Sequence, residues 1–241
     1  MRRPLRVRRA QEAVMLRPGR DKGLATPLPL GLAGLATTIF LMGIAIIFQP
    51  PTAWMPYLVQ ALLFGGMIEL LAGMWSFAYG DPLAATVFTF LGGFFVWWGV
   101  MHMSALLAVH GAASAATANS IATIYIVTGV VMLYLWVASF YEGAAFNLAL
   151  LFLWLALGLT GIAMFTGITV LAILGGIAAI VCGLIAAYTS FAEIFNATAL
   201  QETIPLGESM VVRTRVEEDE LERLRRLHAV ERPTRETAMR A

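Results

Sequence analysis

The feature that most limits what this chain can fold into is where its charge lies. All 16 lysines and arginines fall before Gly23 or after Val212, eight at each end. Between those limits there is no basic residue and only six acidic ones: Glu69, Asp81, Glu142, Glu193, Glu202 and Glu208. Ionised side chains are costly to hold in hydrocarbon, so a stretch this poor in charge is built for lipid. The whole chain is 59% hydrophobic and 13% charged, whereas ordinary soluble domains carry roughly a quarter charged residues.

The net charge of +1 averages two charged tails over a neutral body. The Arg-rich N-terminus therefore reads as a topology anchor that touches anionic lipid, and no nucleic-acid partner is expected. The single cysteine, Cys182, lies in an apolar run, which excludes an intramolecular disulfide and a cysteine-based zinc site. The first apolar run starts only near Pro29, has no small-x-small cleavage site and is followed by further runs, so no signal peptide is read.

Crossing a bilayer takes about 20 apolar residues. Six such runs are read, at 30–48, 57–78, 83–108, 120–140, 145–165 and 168–192. The expected fold is an all-α membrane protein, six transmembrane helices packed as a bundle around a narrow pathway. Residues 1–24 form a basic cytoplasmic tail, 25–208 the membrane domain and 209–241 a charged cytoplasmic tail. The breaks carry turn chemistry, as in Tyr79-Gly80-Asp81-Pro82, where Asp81 can cap the next helix and Pro82 fits its first turn. The polar run His110 to Asn119 is expected to be the longest interior loop. Basic residues at both ends place both termini in the cytoplasm of an inner-membrane protein, which requires an even number of spans. The stretch Glu217 to Arg226 favours a solvated helix through Glu-to-Arg pairs four apart.

No nucleophile elbow, Walker loop or metal-ligand set is present, so neither an enzyme nor a cofactor or metal site is expected. His102 and His110, two turns apart without a third ligand, are read as outer-side histidines. Trp54, Tyr57, Trp97 and Trp98 are read as interface anchors. Gly65 and Gly73, Gly92 and Gly93, Gly158 and Gly161, and Gly176 and Gly183 recur at spacings that let helices approach closely in lipid. Glu69 lies mid-span on the Gly65–Gly73 face, toward the interior. There it is either a protonated, hydrogen-bonded acid or part of a wet pathway that handles protons.

Three stretches resemble the acetate uptake transporter family, which includes the bacterial succinate–acetate permeases. Ala25-Thr26-Pro27-Leu28-Pro29-Leu30-Gly31-Leu32 resembles its Asn-Pro-Ala-Pro-Leu-Gly-Leu signature. Phe64-Gly65-Gly66-Met67-Ile68-Glu69-Leu70-Leu71-Ala72-Gly73-Met74-Trp75 resembles its second helix and runs on through Gly80-Asp81 to Gly92-Gly93-Phe94. Cys182-Gly183 through Tyr188, Glu193 and Asn196 to Pro205-Leu206-Gly207-Glu208 is similar to its C-terminal end. The resemblance implies a six-helix protomer that conducts acetate and, in some members, succinate, and that assembles as a homo-hexamer with one pathway per protomer. It places an apolar constriction on Leu35, Leu91 and Leu153, and a carboxylate-binding signature on Thr26 through Leu32, including Pro27, Pro29, Leu30 and Gly31. Thr26 stands where the family has asparagine, Glu69 where glutamine is usual, and Leu35 and Leu91 where aromatics are common.

The expected partners are a small carboxylate, protons and membrane lipid. Pro27 and Pro29 are expected to leave unpaired N–H groups at the positive end of the first helix, where a carboxylate could bind. Thr37, Thr38, Thr86 and Thr89 are further donors unless they bond back to their own helix. Two other readings stay open. The first is a pore for a neutral solute such as urea or ammonia. The second is a membrane scaffold whose C-terminal helix binds a cytoplasmic partner.

Overall fold

The computed structural model describes residues 24–48, 54–106 and 115–209. Both charged tails, with the expected 217–226 helix, lie outside the described residues, as does His110.

Six helices are long and apolar enough to cross a membrane. They are α1 (Leu28–Phe48), α2 (Trp54–Gln60, continued by Ala61–Ile68 and Glu69–Tyr79), α3 (Pro82–Leu106), α4 (Ala115–Ala138), α5 (Ala144–Thr166) and α6 (Thr169–Ala199). The expected all-α bundle is therefore what forms, and among the described residues there is no strand. Two boundaries differ from the sequence reading. α4 begins at Ala115, inside the expected loop, because its Ala-rich start is a good helix former despite being polar. α6 runs to Ala199, seven residues past the expected end. At 1.5 Å per residue it is about 46 Å long, more than a bilayer core of about 30 Å.

The α2–α3 turn follows its sequence signals. Gly80 adopts φ 93°, a left-handed conformation that suits glycine, and Gly80 and Asp81 donate to the Ser76 carbonyl at 3.0 Å. Asp81 Oδ1 then accepts the Ala84 N–H at 2.9 Å, capping α3 behind Pro82.

The helices form a ring in chain order. α6 packs against both α1 and α5, α5 against α4, and α2 against α1 and α3, while α3 and α4 meet more thinly. Close approach depends on missing β-carbons: one added at Gly43 would stand 2.6 Å from the Gly176 carbonyl oxygen across the α1–α6 contact. Gly93 and Gly158 are the exceptions among the expected packing glycines: nothing lies within 4 Å of a β-carbon built at either, and Gly93 lines a groove rather than a helix contact.

Six antiparallel helices bring the start of α1 and the end of α6 to one face of the bundle, here the terminal face. A strap follows α6 across it. Asn196 holds the strap, accepting the Thr203 and Ile204 N–H groups and donating to the Ile204 carbonyl. Tyr188 donates to the Pro205 carbonyl at 2.6 Å, and the Leu206 carbonyl accepts the Ala145 N–H at the start of α5.

Candidate functional site

Three helices, α1, α3 and α5, start at the terminal face, and their register sets the site. Leu35 is seven residues into α1, Leu91 nine into α3 and Leu153 nine into α5, so each lies about 11–14 Å deep at 1.5 Å per residue. All three are fully buried members of one apolar core. α2 ends at the same face, and Glu69 is ten residues before its end, about 15 Å deep on the same count.

Contacts fix the layer independently. A β-carbon at Gly34, next to Leu35, would stand 3.3 Å from Glu69 Cγ. One at Gly92, next to Leu91, would stand 2.8 Å from the Leu70 nitrogen. Gly183 lies against the Ala36 carbonyl, and the neighbouring Cys182 thiol donates to the Ala149 carbonyl, one turn before Leu153, at 3.3 Å. Leu35, Glu69, Leu91, Leu153 and Cys182 therefore share one transverse layer.

Within it Glu69 is fully buried, and neither carboxyl oxygen has a hydrogen-bond partner among the described residues. It follows a π-helical stretch, Ala61–Ile68, a form that is rare outside single wide turns and frequent at functional sites. Hydropathy gives no signal for such a stretch.

The mouth of α1 departs from expectation. Pro27 and Pro29 have no N–H, Leu28 N–H is taken by Thr26 Oγ at 3.4 Å, and the Leu30 and Gly31 N–H groups bond the Pro27 carbonyl. The first turn therefore has no unpaired N–H ready for a carboxylate. Gly31 is pressed against the Phe88 ring, Pro29 is buried, and Leu30 is exposed, away from that face. On α6, Ser190 donates to the Pro29 carbonyl at 2.7 Å, and Glu193 is buried one turn further along.

The threonines divide. Thr37 and Thr86 bond back to their own helices. Thr38 accepts from Gln60 Nε2 at 3.1 Å, and Thr89 Oγ is buried without a partner among the described residues. The sequence reading missed Gln60, which bridges Thr37 and Thr38, and Ser190. Each was visible only as a polar residue in an apolar span.

Trp98 is not an interface anchor. It is buried between α3 and α4, where its indole N–H donates to Tyr125 Oη, because that hydroxyl offers the partner a buried indole needs. Trp97 joins the same aromatic cluster through Phe94 and Tyr125. His102 stacks on Trp98, with Nδ1 2.9 Å from the Trp98 carbonyl. A groove of about 540 Å³ opens sideways between α3 and α4, lined by Thr86, Thr89, Phe90, Phe94, Trp97 and Thr128 among others. Leu35, Glu69, Leu91 and Leu153 are not among its lining residues. Among the described residues no group of His, Cys, Asp and Glu side chains could hold a metal.

Comparison with known proteins agrees with the resemblance read from the sequence. Residues 10–207 match the model of the GPR1/FUN34/yaaH family. The succinate-acetate/proton symporter SatP of Escherichia coli K12 is 26% identical over 192 residues, 77% of this chain and 97% of that protein. Acetate permease A of Emericella nidulans is 40% identical over 74 residues, 30% of this chain, and the match spans only 24% of that relative's length. The solved bacterial acetate channel SatP superposes with a TM-score of 0.71 at 22% identity, covering 76% of this chain and 99% of that one.

Proposed function

This chain belongs to the GPR1/FUN34/yaaH family, and we propose that it carries small monocarboxylates, acetate foremost, across the membrane together with a proton. It is a transporter rather than an enzyme. The observation that carries the reading is the leucine layer. A bare anion reaching Leu35, Leu91 and Leu153 would find no basic side chain between residues 23 and 212 and no unpaired N–H in the first turn of α1. Charge left unpaired in such a site is strongly disfavoured, whereas a neutral acid, or an anion with its proton, fits an apolar layer. The names of two relatives support the substrate class, an acetate permease and a succinate-acetate/proton symporter.

The basic residues at both ends support a topology with both tails in the cytoplasm of the inner membrane, and the family resemblance supports a homo-hexamer with a pathway in each protomer. Protease protection of the tails in sealed vesicles tests the first statement, and native mass spectrometry the second.

Uptake of radiolabelled acetate into proteoliposomes, compared with empty vesicles, tests the transport reading. At fixed total acetate the undissociated fraction rises about tenfold per unit as pH falls from 7 to 6, well above an ordinary carboxyl pKa. Protein-dependent, competitor-blocked flux that climbs in step is expected. Flux of urea or ammonia without acetate flux would replace the carboxylate with a neutral permeant.

A further inference from the structure

Glu69 does not sit as a structural acid usually does. Buried polar groups are nearly always hydrogen-bonded, since an unmade bond in a dry site is costly. Both oxygens of this fully buried carboxyl lack a partner among the described residues, in the layer of the three leucines. With no basic residue between 23 and 212 to balance a negative charge, the side chain stands there as the uncharged acid. The neighbours do not satisfy it. From α1 come Gly34, against its Cγ, and Thr38, which lies against Gly65 one turn away and accepts from Gln60. From α3 comes Thr89, unpartnered itself and packed on Gly73 one turn further. From α6 comes Cys182, in the same layer, whose thiol is engaged with the Ala149 carbonyl.

An uncharged carboxyl presents one donor and one acceptor side by side. An undissociated monocarboxylic acid presents the same pair reversed, so the two close through two parallel O–H···O bonds. A primary amide can do the same with one N–H and one carbonyl. A bare carboxylate has two acceptors and no donor, and can complete only one of the two bonds. We propose that Glu69, as the uncharged acid, is the residue that recognises the permeant in the leucine layer, binding one undissociated short monocarboxylic acid edge to edge. The proposal rests on the transport reading above and adds the residue and the form of the substrate.

The test uses the full chain in proteoliposomes, as wild type, Glu69→Leu and Glu69→Gln, with melting and elution behaviour recorded for each. Losing two hydrogen bonds is expected to cut acetate flux by about tenfold or more in Glu69→Leu. Glu69→Gln restores a donor–acceptor edge and is expected to recover flux to within about threefold of wild type. Acetamide is expected to inhibit acetate uptake by wild type and Glu69→Gln. A folded Glu69→Leu protein with wild-type flux would overturn the proposal, as would equal losses in the two variants.

Where Glu69→Leu does not fold, infrared difference spectra decide. Carbon-13-labelled acetic acid is expected to shift a protonated-carboxyl band that wild type shows and Glu69→Gln lacks, and an unmoved band overturns the assignment. Absent flux in wild type defeats the transport reading, while the infrared shift still reports whether Glu69 binds the acid.

Discussion

The Ser190 hydroxyl donates to the Pro29 carbonyl at 2.7 Å, tying the first turn of α1 to a residue 161 positions later in the chain. This bond closes the ring of helices at the terminal face, where the signature stretch sits. Ser190→Ala removes it and is expected to lower stability by about 1 kcal/mol. Thermal melting in detergent measures the loss, and an unchanged melting temperature would mean that α1 is held there by packing alone.

Gly73 and Gly93 make opposite predictions from the same substitution. A β-carbon at Gly73 would stand 2.6 Å from the Thr89 backbone nitrogen, so α2 and α3 would have to separate. Gly73→Ala is expected to destabilise by about 1–3 kcal/mol. Gly93→Ala meets nothing within 4 Å and is expected to be neutral, or stabilising by up to about 1 kcal/mol through helix propensity. Equal melting shifts in the two variants would contradict the packing described for α2 and α3.

Asp81 caps α3 through the Ala84 N–H. Asp81→Ala is expected to cost about 1 kcal/mol, and Asp81→Asn, which keeps an acceptor oxygen, much less. A melting comparison of the two variants separates the cap from any role of the charge.

Most of the fold was legible because lipid imposes a simple code. Long apolar runs, the segregated charge and the Gly80-Asp81-Pro82 turn located the six spans, four of them to within about three residues at each end, and three ordered motifs identified the family. What was not legible depends on contacts between helices. The π-helical stretch before Glu69 leaves no mark on hydropathy, and the pairing of Trp98 with Tyr125 joins α3 to α4 through residues 27 apart. The α1 mouth was misread because the prolines suggested free N–H groups. Thr26 and the Pro27 carbonyl bond those that remain. The leucine layer itself came from resemblance, and helix register then brought Glu69 and Cys182 into it.

Leu91 is fully buried in that layer, and Leu91→Ala removes three of its carbons. Propionate and butyrate uptake relative to acetate is expected to rise about tenfold or more, within the roughly 10–200-fold range that single methylene differences allow in apolar pockets. A size preference identical to wild type would place the constriction elsewhere. The substitution also leaves a cavity, expected to lower stability by about 2–5 kcal/mol, so flux is compared per folded protein.

In the proposed transport the monocarboxylate crosses without net charge. The most direct test is charge moved per acetate, recorded as current from protein-containing membranes alongside labelled-acetate flux under the same gradient. Acetate flux above that of empty membranes, with no accompanying current, is expected. A steady current equal to one negative charge per acetate would show the bare anion passing the leucine layer, and would contradict that expectation.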